Sequence, residues 1–316
     1  MLAAFLTLAH AEPIVGFVDL HMHIAAHLTV PVYGSGPERD PPASQSYLHA
    51  LEPQIFVRQL AEPGPAIIVS LAYASPFATV FESRTSMRHR IERQLDFVEE
   101  FCARNKDEFG WAKTPEEART IVQSGRKAIV HGIEGATKIL GDASDAAYWA
   151  SRGVAVITPV HLSDNEIGGA WCQEGQLGVL NVPGCRRERI SPETHGLTPD
   201  GHARITDLID AGIIVDLAHT SDASFAEIVP ILRDRAVAPV YTHATSFSVT
   251  VDPTAISDDQ LREIESLGGL VGVTGNLSHL PPNPIPGGLP GDYCRGSIND
   301  FRLHWDRIVS VAGGEP

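Results

Sequence analysis

The sequence predicts an α/β protein whose parallel strands close into a (β/α)8 TIM-type barrel. Short, nearly continuous apolar runs alternate with helical patterns along the chain, as expected of parallel strands that are covered on both faces. The helical patterns have recognisable start signals. No glycine-rich phosphate loop follows the first two apolar runs, as a doubly wound nucleotide-binding sheet would need. The barrel is therefore favoured over an open sheet.

Seven apolar runs are interpreted as strands, each ending before a loop or helix. They are Ile14–Leu20, Ala66–Ala72, Lys127–Gly132, Val154–Val160, Ile213–Ala218, Ala238–Thr242 and Gly269–Thr274. An eighth strand is due where the chain stops at Pro316. Because an open barrel would leave two exposed strand edges, we expect the natural protein to continue past this residue. The barrel is therefore expected to lack its eighth strand in this chain.

The helices between these strands begin at polar capping residues. Thr114, Thr198, Ser221 and Ser257 each stand at a predicted helix start, and a proline follows both threonines. A long, charged helix is predicted over Arg84–Asn105, and Gly212 is expected to end the helix that Thr198 begins. The last helix, Ile298–Val311, is expected to present Phe301, Trp305 and Ile308 on one face.

The domain prediction is one barrel over residues 13–316, preceded by a short ambiguous segment. Residues 1–12 are either the remnant of an export signal or an extension of the first strand. The apolar stretch Leu2–Leu8 and the small residues of Ala9-His10-Ala11 favour the signal, but no Lys or Arg precedes them. Periplasmic or secreted localisation is expected if Leu2–Ala11 is a signal remnant, and cytoplasmic localisation otherwise.

The composition excludes two classes of partner. The formal net charge is −15 and the pI is about 5.3, which argues against binding to nucleic acid or to an anionic membrane surface. No apolar stretch is long enough to span a bilayer, so no transmembrane segment is expected. The expected partner is a small-molecule or dipeptide substrate, and a homodimer is left open.

The four cysteines do not form a Cys-x-x-Cys motif, so a thiolate metal site is not expected. They are Cys102, Cys172, Cys185 and Cys294. Cys172 and Cys185 bracket a Gly-containing loop and could pair in an oxidising compartment. Four free thiols are the favoured interpretation.

Histidines and one glutamate cluster at the ends of the predicted strands. His21 and His23 end the first strand on one face, because side chains alternate along a strand. The later strand-end residues are His131 and Glu134, His161, His219 and His243. Other histidines are interpreted as surface residues, namely His27, His49, His89, His195, His202, His279 and His304. Barrel enzymes place their chemistry at these carboxyl ends of the strands, so the cluster predicts a functional site.

Four imidazoles and one carboxylate are sufficient to hold two divalent ions. A carboxylate has two oxygens, and it can bridge ions that lie roughly 3.5–4 Å apart. Such a pair of ions lowers the pKa of a bound water and polarises a carbonyl. The cluster therefore predicts hydrolysis of an amide, an ester or a related bond.

The motifs around these residues resemble the membrane (renal) dipeptidase family, peptidase family M19 of the amidohydrolase superfamily. The matching segments, in the family's order and spacing, are Gly16–His23, His131–Gly135, Thr158–Asn165, Gly212–Ser221 and Pro239–Ser246. The resemblance covers most of the chain. It implies a metal-dependent hydrolase that cleaves a dipeptide or small amide with a metal-activated water, using two divalent ions, expected to be Zn2+.

The resemblance also implies a role for each matching residue. His21 and His23 would bind the first ion, Glu134 would bridge both ions, and the second would be completed by His219 and His243. His161 and Glu134 are the implied catalytic residues. The implied substrate-binding residues are His161, Asp164 and Asn165.

Three departures from the family pattern keep other functions open. The family usually has Asp where this chain has His23, which raises the charge of the site by one unit. No Arg occurs in Val249–Ser257, where the family usually places one for the substrate carboxylate. The family's Gly-Ser-Asp-type motif, on the last strand, does not occur before Pro316. The alternatives are an amidohydrolase of another substrate class, such as a lactonase or an N-acyl amino acid deacylase, or a non-catalytic truncated barrel.

Overall fold

The computed structural model describes residues 16–29, 37, 60, 64–74, 81–172, 181–250, 254–274 and 298–313. Several predictions fall outside these residues: the segment 1–12, the start of the first strand at Ile14, the thiol of Cys294, and the surface positions of His49 and His279.

The described residues form eight strands and eight α-helices. The strands are β1 Val18–Met22, β2 Ile67–Tyr73, β3 Phe109–Ala112, β4 Lys127–Glu134, β5 Val154–Thr158, β6 Ile214–Val215, β7 Val240–Ala244 and β8 Leu270–Val273. The helices are α1 Arg84–Arg104, α2 Pro115–Gln123, α3 Ala143–Ser151, α4 Val182–Ile190, α5 Pro199–Asp210, α6 Asp222–Arg235, α7 Asp258–Ser266 and α8 Ile298–Ala312. None of these helices combines the length and the apolar character that crossing a bilayer requires.

All of the strand pairs are parallel, as the alternation of strands and helices predicts. One sheet runs in the order β1-β2-β4-β5-β6, and β7 pairs with β8. A bridge between Asp216 and Val240 continues the order from β6 to β7. β1 in turn contacts β7 and β8, so the strands curve round towards the first one. The carboxyl ends of the strands therefore face a common centre, as in a barrel.

Strand β3 was not predicted. Residues Lys127–Val130 of β4 pair with β3, whereas His131–Glu134 pair with β5, so two strands share one edge of β4. The segment Phe109–Ala112 holds only four residues, includes a glycine and contains no β-branched residue. Its sequence therefore lacks the usual signal of a strand. Strand β3 lies off the path of the barrel.

Apolar residues on both faces of the strands are buried, which explains their continuous apolar runs. Val69 and Leu71 of β2 belong to a cluster with Val156 and Val240 from other strands. Ile68, which precedes Val69, instead packs with residues of α1, including Val98 and Phe101. Helices α3, α5, α6, α7 and α8 contribute to a large further cluster, which includes the fully buried Trp149 of α3.

The predicted helix starts are confirmed by their hydrogen bonds. The hydroxyl groups of Thr114, Thr198, Ser221 and Ser257 each accept a hydrogen bond from the backbone N–H three residues further on. Gly212 follows α5 with a φ of +78°, a left-handed conformation that glycine adopts without strain.

The surface prediction for His195 and His304 is wrong, because both side chains are fully buried. Nδ1 of His304 accepts a hydrogen bond from the backbone N–H of Ser246 at 2.9 Å, so this histidine satisfies a buried donor. The expected apolar face of α8 is also only partly correct. Ile308 is buried, but the buried partner one turn before it is His304, and Trp305 stays 37% exposed.

The position of Trp149 predicts a large loss of stability on truncation. Its ring is fully buried, and its Nε1 donates to the carbonyl of Ile139 at 3.0 Å. The Trp149→Ala variant should lose about 3–5 kcal/mol of unfolding free energy, measured by urea denaturation, because a cavity remains. Trp305→Ala is the matched control and should lose less. Equal losses would contradict this description of the core.

The ion pair between Asp258 and Arg307 predicts a pH-dependent contribution to stability. The hydrogen bond from Arg307 lowers the pKa of Asp258 below its ordinary value. The contribution should be complete above the ordinary carboxyl pKa of about 4 and should be lost as the pH falls through the lowered folded-state value. Arg307→Gln should therefore destabilise the protein at pH 7, with a difference from wild type that shrinks in acid.

Urea unfolding at pH 7 and at about pH 3 measures this difference. Arg302→Gln, on the same helix, is the control. Arg302 pairs with Asp306, and because their side chains are 78% and 61% exposed, this ion pair should contribute little. A difference for Arg307→Gln that is the same at both pH values would show that the ion pair is not its source.

Candidate metal centre

The ends of the strands bring five histidines around the carboxylate of Glu134, the last residue of β4. Glu134 is 3% exposed. Its Oε1 lies 3.0 Å from Nε2 of His219, 3.6 Å from that of His21 and 3.9 Å from that of His243. Its Oε2 lies 3.2 Å from Nε2 of His23 and 3.4 Å from that of His161. All five histidines thus present the same ring nitrogen to one buried carboxylate.

Two compact groups in this cluster have the separation of metal ligands. One contains His21, Glu134 and His243, and the other contains Glu134, His161 and His219, with ligand atoms that lie within 4.8 Å of one another. The Nε2 atoms also approach in pairs, at 3.1 Å between His21 and His23 and at 3.0 Å between His219 and His243. Glu134 is common to both groups, and the predicted division of the histidines between two ions stays a prediction.

A glycine after Glu134 allows His161 to approach the carboxylate. Gly135 has a φ of +85°, and a Cβ atom there would lie 2.9 Å from the Cβ of His161. A side chain at this position would therefore strain the backbone and displace a histidine of the site.

Burial and charge set the protonation of the cluster. Burial lowers the pKa of His21 and of His161 to about 3, and it also holds the pKa of His243 well below its ordinary value. Burial opposes protonation of His23 too, but the hydrogen bond to Glu134 raises its pKa. Burial alone would raise the pKa of Glu134, whereas the surrounding imidazoles hold it well below the ordinary value.

Hydrogen bonds from the outer ring nitrogens orient three of the histidines. Nδ1 of His23 lies 2.9 Å from the carbonyl of Leu71. Nδ1 of His21 lies 3.2 Å from Oγ1 of Thr242, and Nδ1 of His243 lies 3.0 Å from the same oxygen. The Thr242 hydroxyl also lies 2.8 Å from Oδ2 of Asp216. These contacts direct the Nε2 atoms towards Glu134.

His219 is held differently. Its Nδ1 is buried and has no hydrogen-bond partner among the described residues. The ring instead stacks on Trp171, with ring centroids 5.1 Å apart and an interplanar angle of 18°. The backbone of His219 has a φ of +64°, and its carbonyl accepts from the N–H of Trp171 at 3.0 Å. Stacking and backbone geometry therefore orient this imidazole.

Tyr73 is a residue of the site that sequence reasoning missed. The second predicted strand ends without His or Glu, yet Tyr73 at the end of β2 packs its ring 4.6 Å from that of His23 and 6.2 Å from that of His161. In the sequence, only its position indicates this role. Tyr73 ends the strand that lies between β1 and β4, and both of those strands carry residues of the site near their carboxyl ends.

Asp164 and Asn165, the predicted substrate-binding pair, form hydrogen bonds within and around their own loop. Oδ1 of Asp164 accepts from the N–H of Ala170 at 3.1 Å and lies 2.8 Å from Nε2 of His195. Oδ1 of Asn165 accepts from the N–H of Ile167 at 2.8 Å. Both side chains thus hold the loop that carries Trp171 to His219. Their contact with substrate stays a prediction.

A disulfide joins Cys172 to Cys185, with Cα atoms 4.8 Å apart, so the favoured interpretation of four free thiols is wrong. The two cysteines lie 13 residues apart, and local sequence patterns do not decide whether residues at that separation meet. Cys102 is a free, buried thiol. The N–H of Cys172 donates to Glu188 of α4 at 2.8 Å, which further ties the loop to this helix.

His131 does not join the cluster, although it lies three residues before Glu134 in the same strand. Its ring is fully buried, its Nε2 lies 3.4 Å from Oε1 of Glu99 in α1, and it packs 5.0 Å from the ring of Trp111. Positions separated by three residues face opposite sides of a strand. His131 is therefore a residue of the outer core.

Comparison with known proteins identifies the family. The model of the membrane dipeptidase family, peptidase family M19, matches residues 61–315. The chain belongs to this family. The two candidate ligand groups therefore lie in a member of a hydrolase family.

Curated relatives of this family are similar over part of their length. Dipeptidase verJ of Clonostachys rogersoniana is 28% identical over 183 residues, which cover 58% of this chain and 42% of that protein. Dipeptidase ataJ of Aspergillus terreus is 28% identical over 190 residues, which cover 57% of this chain and 44% of that protein. The matched regions amount to less than half the length of either relative.

Solved structures show the same fold. A metallo peptidase from Rhodobacter sphaeroides, liganded with a phosphinate mimic of the dipeptide L-Ala-D-Ala, matches with a TM-score of 0.70 and 19% identity over 95% of this chain and 84% of that one. The probable dipeptidase PvdM from Pseudomonas aeruginosa matches with a TM-score of 0.65 and 18% identity over 96% of this chain and 77% of that one. The barrel-type fold of the M19 dipeptidases is thus shared by this chain.

The buried contact between His195 and Asp164 predicts an effect on stability in this M19 member. In the His195→Ala variant, Asp164 loses a hydrogen-bonding partner in a mostly buried position. Urea denaturation should show a loss of about 1–3 kcal/mol. His202→Ala is the control. The side chains of His202 and its partner Glu227 are 49% and 37% exposed, so their contact should contribute little. An equal loss in the two variants would rule out a special role for the buried pair.

Proposed function

We propose that this chain is a metal-dependent hydrolase that holds two divalent ions, Zn2+ as the expected pair, and cleaves a dipeptide or a similarly small amide. The observation that carries the proposal is the buried carboxylate of Glu134 among five imidazole Nε2 atoms. Membership of the M19 family supports hydrolysis as the class of reaction. The choice of a dipeptide or small amide as the substrate is part of this proposal.

The chemistry of the donor set fits divalent ions of the zinc type. Imidazole nitrogen and carboxylate oxygen are ligands that Zn2+ prefers. Among the described residues, the ion-pair partners of Glu134 are all histidines, so no Lys or Arg occupies the place of a cation. The lowered pKa values of His21, His161 and His243 leave neutral imidazoles, which can donate a lone pair to a metal.

Five residues would hold the ions: His21 and His23 on one side, His219 and His243 on the other, with Glu134 between them. The Oε1 atom of Glu134 lies near His219, His21 and His243, and its Oε2 atom lies near His23 and His161, so imidazoles approach both oxygens of the carboxylate. Bound divalent ions would supply a water of lowered pKa and would polarise the scissile carbonyl.

His161 would contact the substrate. Its ring is 16% exposed, and its Nε2 lies 3.4 Å from Glu134, so it borders the place where a substrate carbonyl would meet the site. Because burial keeps this imidazole neutral, its N–H would donate a hydrogen bond to the oxygen on which negative charge develops. Tyr73, which packs near His161, would form a wall of the substrate pocket.

Metal content and activity test the proposal together. Purified wild-type protein should contain about two zinc ions per chain. His219→Ala should lose zinc and should reduce hydrolysis by at least about a hundredfold, because the loss of a ligand exceeds the usual effect of an outer-sphere change. His89→Ala, on the exposed face of α1, is the control for removal of a histidine.

Activity should be measured on L,L- and L,D-dipeptides, an N-acyl amino acid and a lactone. Preference for a dipeptide is the expected result. Preference for the N-acyl amino acid or the lactone would reject the dipeptidase function while retaining the metal centre. Less than one zinc ion per wild-type chain, or full activity in His219→Ala, would overturn the proposed centre.

A further inference from the structure

We infer that Thr242 is a positioning residue shared by both halves of the metal centre, whose hydroxyl fixes the tautomers of His21 and His243. The inference deepens the proposed function and depends on it. It concerns the protons on the outer ring nitrogens, which decide whether the inner nitrogens are free to bind metal.

The hydrogen-bond capacity of one hydroxyl group carries the argument. Oγ1 of Thr242 lies 2.8 Å from Oδ2 of Asp216, 3.2 Å from Nδ1 of His21 and 3.0 Å from Nδ1 of His243. A hydroxyl has one proton to donate and two lone pairs that accept. Three contacts therefore use its full capacity, with one donated and two accepted.

Asp216 decides which contact is the donated one. Its carboxylate also accepts from the Thr158 hydroxyl at 2.6 Å, and its other oxygen accepts from the backbone N–H groups of Ala218 and Thr242 at 3.0 Å each. With three other donors aimed at it, the carboxylate acts as an acceptor towards the Thr242 hydroxyl as well. The Thr242 proton consequently lies on the bond to Asp216.

The two remaining contacts must then be donated by the imidazoles. His21 and His243 each carry a proton on Nδ1, and in a neutral ring this leaves the lone pair on Nε2. Those are the atoms that lie 3.6 Å and 3.9 Å from Oε1 of Glu134. One hydroxyl thus prepares a ligand from β1 and a ligand from β7 for metal binding, in the manner of outer-sphere partners.

Thr158 provides a matched control. Both threonines are fully or nearly fully buried, and both donate to Oδ2 of Asp216. Among the described residues, the Thr158 hydroxyl contacts no imidazole of the cluster, whereas the Thr242 hydroxyl contacts two. Replacing either by Val removes a hydroxyl of the same kind from the same acceptor, but only Thr242→Val removes the acceptor of the two Nδ1 protons.

The experiment compares the zinc affinity of the chain of residues 1–316 and its variants by competition with a chelator. Thr242→Val should weaken zinc binding by about 10–100-fold, the range for loss of an outer-sphere partner. Thr242→Ser should restore binding to less than about tenfold from wild type, since it keeps the hydroxyl, and Thr158→Val should stay within the same limit. Equal weakening in Thr242→Val and Thr158→Val would overturn the inference.

A second measurement needs neither a variant nor metal. Nitrogen-15 spectra of the histidine rings in the metal-free wild-type protein should show His21 and His243 protonated on Nδ1, and a proton on Nε2 alone in either ring would also overturn the inference. If wild-type protein binds no zinc while the spectra show the expected tautomers, the proposed function fails and the hydrogen-bond assignment stands. If it binds zinc and the Val variants behave alike, only the role of Thr242 fails.

Discussion

The buried negative charge of Glu134 is the constraint on which the rest of the site depends. A carboxylate withdrawn from water needs compensation, and here it comes from imidazoles that arrive from different strands. The convergence of parallel strands at their carboxyl ends brings these residues, distant in sequence, to one point. The alternation of strands and helices, the apolar faces of the strands and the glycine after Glu134 all serve this convergence.

Around that carboxylate, a set of ordinary polar contacts controls the direction of each ring. The carbonyl of Leu71 orients His23, and the hydroxyl of Thr242 contacts Nδ1 of both His21 and His243. His219 lacks such a contact among the described residues and stacks on Trp171 instead. The loop that carries Trp171 is in turn held by Asp164, His195 and the disulfide, so support for the centre extends well beyond the residues that would bind metal.

Much of this arrangement could be predicted from the sequence, because strand ends, helix caps and histidine positions follow from local patterns. Glu134 and its five histidines were all named in this way. The burial of His195 and His304 could not be, since each histidine satisfies a partner distant in the chain. The same is true of the disulfide, whereas β3 was not predicted because its four residues include a glycine and no Val, Ile or Thr. Long-range contacts, rather than local preferences, decided these cases.

The left-handed backbone at His219 places two demands on one position. A non-glycine residue held there costs of order 1–3 kcal/mol, so the conformation suits glycine while the proposed chemistry requires an imidazole. Selection for thermal stability alone would favour replacing the histidine, and selection for hydrolysis would keep it. At this position, the stability of the fold and the proposed metal-binding role therefore favour different residues, and a variant selected only for thermal stability would be expected to lose this histidine.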